Sequence, residues 1–188
     1  MAYASTAGRA DRIASRVEDE PITSTPIVRT LRAGLVAGEV AGLVMAVAMM
    51  AVYNFALGKN PFLPLQAIGA MVHGNGALDG MNAKAFFTGL VIHQLGPSLF
   101  WGLALSVVVI LSRPRYASTL LLLGIAVGVL AQGIDVYLLL PRLEAELGVP
   151  SYWTLQVHPV ASWFFHIVYG ISLSLFPWKY DPVARRFA

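Results

Sequence analysis

Two histidines, His93 and His166, are the residues best placed by type and spacing to do chemistry. Each lies about eight residues from the outer end of an apolar segment, a depth of about 12 Å at the helical rise. Two neutral imidazoles at one depth on different helices are the arrangement that ligates a haem iron from both faces or holds a single metal ion. The same pattern is typical of polar groups that hydrogen-bond between helices, or that line a path for a solute or proton. Pro97 follows His93 by one helical turn and predicts a kink that opens space beside that imidazole.

Four further polar residues, Gln132, Asp135, His73 and His158, map to the same outer half of the apolar segments. Together with the two deeper histidines they are predicted to line a polar vestibule. A weaker hypothesis makes His73, His158 and Asp135 the ligands of a zinc-like or copper-like metal site. His158 and His166 cannot share one ion directly, because the helix between them separates them by about 12 Å.

Glu39 is the deepest acidic residue of the chain and lies toward the inner side of the first apolar segment. A carboxylate in the hydrocarbon layer is unfavourable, so it has to be protonated, paired or placed in a wet cavity. In a functional role Glu39 is a proton relay or ion-coupled carboxylate. In a structural role it forms a hydrogen bond to Ser106 or Ser172, which lie at comparable depth.

The composition identifies the elements that position these residues. Of 188 residues 57% are apolar and 12% charged, with a mean hydropathy of +0.67, which excludes a soluble core and indicates an integral membrane protein. The chain has no cysteine, which excludes disulfides, cysteine-ligated clusters and a cysteine nucleophile. Four apolar segments, at 31–57, 85–111, 117–140 and 158–176, are each long enough to cross about 30 Å of hydrocarbon as a helix. The predicted fold is therefore an all-α bundle of four transmembrane helices.

Basic residues predict the orientation of this bundle. Ten of the 13 Lys and Arg residues lie before or at the first segment, between the second and third, or after the fourth. The positive-inside rule then places both termini in the cytoplasm. Residues 1–30 become a polar cytoplasmic extension and residues 179–188 a basic cytoplasmic tail. The net charge of +3 is a topology signal, and without a basic patch carrying interleaved aromatic residues no nucleic-acid partner is expected.

Glycines predict where helices approach closely. Gly34, Gly38 and Gly42 recur every fourth residue in the first segment, which indicates a close helix contact either inside the bundle or between subunits. Gly124 and Gly128 repeat the spacing in the third segment. The second and fourth segments each carry a histidine followed by a glycine and a serine, so a parallel repeat of two-helix units is one interpretation of the pattern.

Four short motifs carry a resemblance to a known family. They are PFLPLQAIGA from residue 61, GLVIH ending at His93, YLLLP ending at Pro141 and HIVYG beginning at His166, and together they cover residues 31–178. The chain resembles a family of small bacterial four-span membrane proteins that has no established activity. The resemblance implies the four-helix fold and a bacterial cytoplasmic (inner) membrane, and it implies no reaction.

Three hypotheses about function follow from these residues. The first is a non-catalytic integral subunit, a scaffold or accessory to a larger membrane redox or energy-converting complex, with b-type haem held by His93 and His166. The second is a small ion- or proton-coupled transporter or channel that uses Glu39 and the outer polar vestibule. The third is an outward-facing metal site that serves an enzyme. The expected partners are the lipid bilayer and other membrane subunits.

Overall fold

A computed structural model describes residues 26–114 and 116–175, and these residues form helices and connecting turns without a strand. The helices in chain order are α1 (Pro26–Ala51), α2 (Leu63–His73), α3 (Ala83–His93), α4 (Leu99–Ser112), α5 (Ala117–Ala131), α6 (Leu140–Leu147), α7 (Tyr152–Gln156) and α8 (Pro159–Leu175). Segments of π-helix extend α1 over Val52–Ala56, join α3 to α4 over Gln94–Ser98, and join α5 to α6 over Gln132–Leu139. The predicted all-α class is confirmed.

Three continuous helical runs are long and apolar enough to cross a membrane: Ile27–Ala56, Ala83–Ser112 and Ala117–Leu147. Their outer surfaces carry large exposed apolar side chains such as Phe55 and Leu111, which suits a surface in contact with lipid. These runs indicate a membrane protein. Helix α8 is also apolar but has 17 residues, a length of about 26 Å, so a fourth crossing stays a prediction.

Two helix ends differ from the predicted boundaries. Helix α1 begins at Pro26, before residue 31, because proline is tolerated in a first turn where the backbone N–H has no helical partner. The third long helix continues past Pro141 to Leu147, because Pro141 follows a π-helical segment and falls in the first turn of α6. Residues 1–25 and 176–188, with most of the predicted cytoplasmic extension and the whole basic tail, lie outside the described residues.

The three glycines of α1 pack inside the bundle, against α4 and the π-helical segment that precedes it. A Cβ added at Gly38 would overlap the carbonyl oxygen of Ser98, and one added at Gly34 would overlap the side chain of Ser106. A Cβ at Gly42 would overlap the side chains of Ser98 and Gln94. Internal packing therefore accounts for the whole glycine pattern of α1.

Helices α5 and α8 pack against each other in the same way. A Cβ at Gly124 would overlap the carbonyl oxygen of Gly170, and a Cβ at Gly128 would overlap the carbonyl oxygen of His166. Backbone approaches this close hold the two helices in one register.

Helices α1 and α4 form one close-packed pair, and α5 and α8 form the other. Gly102 of α4 and Gly170 of α8 occupy matching positions, because each lies against two glycines of its partner helix. In this register Ser98 is the counterpart of His166, since both carbonyl oxygens lie against the second glycine of the partner. His93 and His166 are therefore not matched positions of the two pairs, although the sequence pattern aligns them.

Helix α2 is buried against α3. Residues Pro64 to Ala70 are buried, and a Cβ at Gly89 would overlap the carbonyl oxygen of Leu65. The helix ends at Gly74, whose φ is 75°. Because α2 packs on the N-terminal half of the second long helix, it can supply a wall to a cavity there.

Candidate functional site

A cavity of about 370 Å³ lies within the bundle. Apolar side chains form most of its wall, including Ile68 and Met71 from α2 and Met45 from α1. The polar residues that reach it are His93, Ser98, Trp101, Asp135, His166 and Tyr169. Few converging polar groups in a largely apolar cavity of this size are typical of a small-molecule site.

The mouth of this cavity opens on the lipid-facing surface. Three of its lining residues, Phe100, Leu139 and Leu143, are 60%, 48% and 51% exposed. Phe100 belongs to α4 and the other two to the helix Ala117–Leu147, so the opening lies between the second and third long helices. The opening thus lies in an exposed apolar surface that suits contact with lipid.

His93 is 5% exposed. Hydrogen bonds that connect Glu39 to Gln94 and Gln94 to His93 orient its ring. Nε2 of Gln94 donates to the backbone oxygen and to Oε2 of Glu39, at 2.9 and 3.1 Å. The amide oxygen of Gln94 consequently faces His93, and Nδ1 of His93 donates to it at 3.0 Å. In the neutral imidazole the lone pair then lies on Nε2.

His166 is 6% exposed and has the same tautomer for a different reason. Its Nδ1 lies 2.9 Å from the carbonyl oxygen of Ser162, which only accepts, so Nδ1 is the donor. Within residues 26–114 and 116–175 neither Nε2 has a hydrogen-bond partner. The two histidines that the sequence singles out thus line one cavity, each with an Nε2 lone pair unengaged.

Asp135 lies close to the middle of its long helix, because that helix runs on to Leu147. The predicted end of this segment at residue 140 is therefore seven residues short of the observed end at Leu147. Oδ2 of Asp135 accepts a 2.8 Å hydrogen bond from Nε1 of Trp101. This bond joins α4 to the π-helical segment Gln132–Leu139, and π-helical segments frequently occur at functional sites.

Glu39 is paired with Gln94, whereas the sequence predicts Ser106 or Ser172. Ser106 donates instead to the backbone oxygens of Thr30 and Gly102, at 3.1 and 3.2 Å. The Oε1 atom of Glu39 is buried and has no partner in the part of the chain that the structure describes.

Gln132 is fully buried outside the cavity lining and supports His166 from behind. Its Oε1 accepts from the hydroxyl of Ser162 at 2.8 Å, and Trp153 Nε1 donates to the same hydroxyl at 3.2 Å. These bonds fix Ser162, whose carbonyl orients His166. Gln132 Nε2 is buried without a partner among the described residues.

The structure does not bring His73, His158 and Asp135 together. His73 Nε2 lies 2.8 Å from the hydroxyl of Thr88, and His158 Nδ1 accepts from the backbone N–H of Val160 at 3.3 Å. Over residues 26–114 and 116–175, no three His, Asp or Glu side chains form a group suited to a metal ion. Neither His73 nor His158 lines the cavity.

Three residues of the site are not singled out by the sequence: Gln94, Trp101 and Tyr169. Tyr169 donates to the carbonyl oxygen of Ser98 at 3.0 Å and so joins α8 to the π-helical segment before α4. The sequence offers one signal for these site residues: Gln94 is an amide that directly follows His93 in an apolar segment.

No protein-family model matches the chain, and neither the curated proteins nor the solved structures contain a match. The chemistry of the cavity is therefore the main indication of function.

Proposed function

We propose that this chain is a non-catalytic subunit of a larger redox or energy-converting complex in a bacterial cytoplasmic membrane, and that it holds a redox group in the cavity beside His93 and His166. The observation that carries the proposal is the pair of buried imidazoles on one cavity, each with Nδ1 engaged and Nε2 free of protein partners in the described chain. Histidines that bind a metal or a ligand are held in this way, with the second ring nitrogen bonded to an oxygen.

The four-span topology is part of this proposal. Helix α8 crosses the membrane, both termini are cytoplasmic, and the two close-packed helix pairs are parallel repeats. The matching contacts of Gly102 and Gly170 support the repeat. Such a bundle gives the cavity rigid walls, since packed glycine faces leave the helices little freedom to separate.

Haem b is the specific candidate raised by the sequence, and the cavity fits only part of it. Two Nε2 lone pairs suit the iron. A cavity of about 150 Å³ binds one benzene, so 370 Å³ holds about two and a half such rings, less than the four pyrroles of a haem with their substituents. The lining also contains no Lys or Arg to pair with the propionates, and it contains Asp135. These residues favour a smaller redox group.

The test is to purify the full chain gently from its native membrane and analyse what accompanies it. We expect a bound redox compound and co-purifying membrane subunits, and we expect the compound to be lost in His93→Leu and His166→Leu. The visible spectrum, an organic extract and mass spectrometry of the chains are recorded on one preparation. The control is His158→Leu, an exposed histidine outside the cavity. A preparation without any redox compound would contradict the proposal.

A second candidate, an ion- or proton-coupled transporter, is favoured by one observation. The buried, unpartnered Oε1 of Glu39 belongs to a carboxylate that Gln94 links to His93 at the cavity wall. In liposomes this candidate predicts a pH-dependent flux that Glu39→Gln abolishes. Glu144→Gln, which changes a buried acid on α6, is expected to retain the flux. A flux that survives Glu39→Gln eliminates this candidate.

A further inference from the structure

We infer that the cavity binds a lipid-soluble hydroquinone through its hydroxyl hydrogens, in preference to the oxidised quinone. The inference rests on the proposed function and names the chemical class of the redox group. Its basis is the set of cavity-wall atoms that already have hydrogen-bond partners within the protein.

The donors at the cavity wall are engaged within the protein. Trp101 Nε1 donates to Oδ2 of Asp135 at 2.8 Å, and the hydroxyl of Tyr169 donates to the carbonyl oxygen of Ser98 at 3.0 Å. The hydroxyl of Ser98 donates to the carbonyl oxygen of His93 at 2.9 Å. Both histidines also use their Nδ1 hydrogens internally. Trp153 Nε1 likewise donates to the hydroxyl of Ser162 at 3.2 Å. With neutral imidazoles and an ionised Asp135, no side-chain hydrogen of the wall remains for a ligand in the described part of the chain.

The atoms that remain are acceptors. They are Nε2 of His93, Nε2 of His166 and Oδ1 of Asp135, none of which has a hydrogen-bond partner among the described residues. The carbonyl oxygens of a quinone also only accept, so a bound quinone would leave acceptors of both molecules unmet. The two hydroxyls of a hydroquinone supply hydrogens to two of these three acceptors. His93 and His166 lie on two different helices, so they suit a ligand with two separate hydroxyl donors.

The rest of the wall suits a single aromatic ring with an apolar tail. Phe100, Trp101 and Trp153 line the cavity, and aromatic pairs are favourable in edge-to-face or offset geometry. The volume exceeds what one unsubstituted ring requires, which leaves room for ring substituents. The exposed rim at Leu139 and Leu143 allows a tail to extend into the lipid.

The preference for the reduced form has a measurable size. Each acceptor left without a donor is expected to weaken binding by about tenfold or more. Because binding and redox equilibria are linked, every tenfold preference for hydroquinone raises the two-electron midpoint potential of the bound pair by about 30 mV.

The test uses the full chain in quinone-free nanodiscs and three probes with the same decyl tail. They are a benzohydroquinone, its benzoquinone and its bis-O-methyl ether, which keeps the aromatic ring and both oxygens and lacks both donors. Calorimetric titration against empty nanodiscs gives the dissociation constants. We expect the hydroquinone to bind at least about tenfold more tightly than either of the others. Equal or tighter binding of the quinone or the ether overturns the inference, whatever any variant does.

Variants locate the two acceptors. His93→Leu and His166→Leu are each expected to reduce the preference for hydroquinone by about tenfold, whereas His73→Leu, outside the cavity, keeps it. A preference that survives in both folded variants overturns the inference. A stoichiometric haem in the native preparation also overturns it and leaves the proposed function intact. If the chain binds none of the probes and carries no redox compound, both proposals fail.

Discussion

Gly38→Ala is expected to lower the free energy of unfolding by about 3 kcal/mol, because the added methyl group would overlap the carbonyl oxygen of Ser98. A backbone oxygen cannot rotate away as a flexible side chain can, so α1 and α4 would have to move apart. Lipid gives no hydrophobic drive to restore the contact, since the bilayer is as apolar as the helix surfaces. Gly128→Ala is expected to have a similar effect through the carbonyl oxygen of His166. Unfolding in mixed micelles, followed by circular dichroism, measures both.

The matched control is Gly133→Ala, in the π-helical segment of the third long helix. A Cβ at Gly133 has no atom within 4 Å outside its local chain, and the same holds for Gly96. Alanine there is expected to be neutral, or to stabilise by up to about 1 kcal/mol through its better helix propensity. If Gly38→Ala and Gly133→Ala gave the same stability, the close glycine packing would not be what holds the bundle.

The long helices could be predicted from the sequence because lipid imposes two simple conditions. A segment that crosses has to be apolar along its length, and it has to satisfy its backbone hydrogen bonds internally. The ends were less predictable, since Pro141 stops many helices and is tolerated here after a π-helical segment. The burial of the short helix α2 against α3 depends on Gly89, whose partner the sequence does not reveal.

The candidate site could be predicted only in part, because depth along a helix says nothing about the direction in which a side chain points. His93 and His166 were expected to share a site, and both line the cavity. Depth alone predicts Ser106 or Ser172 as the partner of Glu39, yet the glycine register between α1 and α4 brings Glu39 to Gln94. The bond from Trp101 to Asp135 likewise requires knowledge of how two helices face each other.

Gln94→Leu is expected to lower the free energy of unfolding by about 3 kcal/mol or more, because one amide satisfies groups of two other residues. Its oxygen accepts from His93 Nδ1, and its nitrogen donates to the backbone oxygen and Oε2 of Glu39. Leucine leaves the buried Nδ1 of His93 and two part-buried oxygens of Glu39 without this partner, and Oε1 of Glu39 already has none within the described chain. Gln156→Leu is the control, since its amide makes no hydrogen bond within the described residues, and a change below about 0.5 kcal/mol is expected.

A double-variant cycle distinguishes two effects of Gln94→Leu: the loss of a hydrogen-bond partner for the Glu39 carboxylate, and a simple loss of packing. Glu39→Leu with Gln94→Leu removes both partners, and replacing both members of a buried pair by apolar groups is far less costly than removing one. We therefore expect the double variant to be more stable than Gln94→Leu alone, measured in the same micelle titration. Strictly additive losses would mean that Gln94 acts only through its volume. The loss of unfolding free energy that remains in the double variant then includes the effect of leaving Nδ1 of His93 unpaired. In the unchanged chain the amide of Gln94 holds His93 in the tautomer that presents Nε2 as an acceptor.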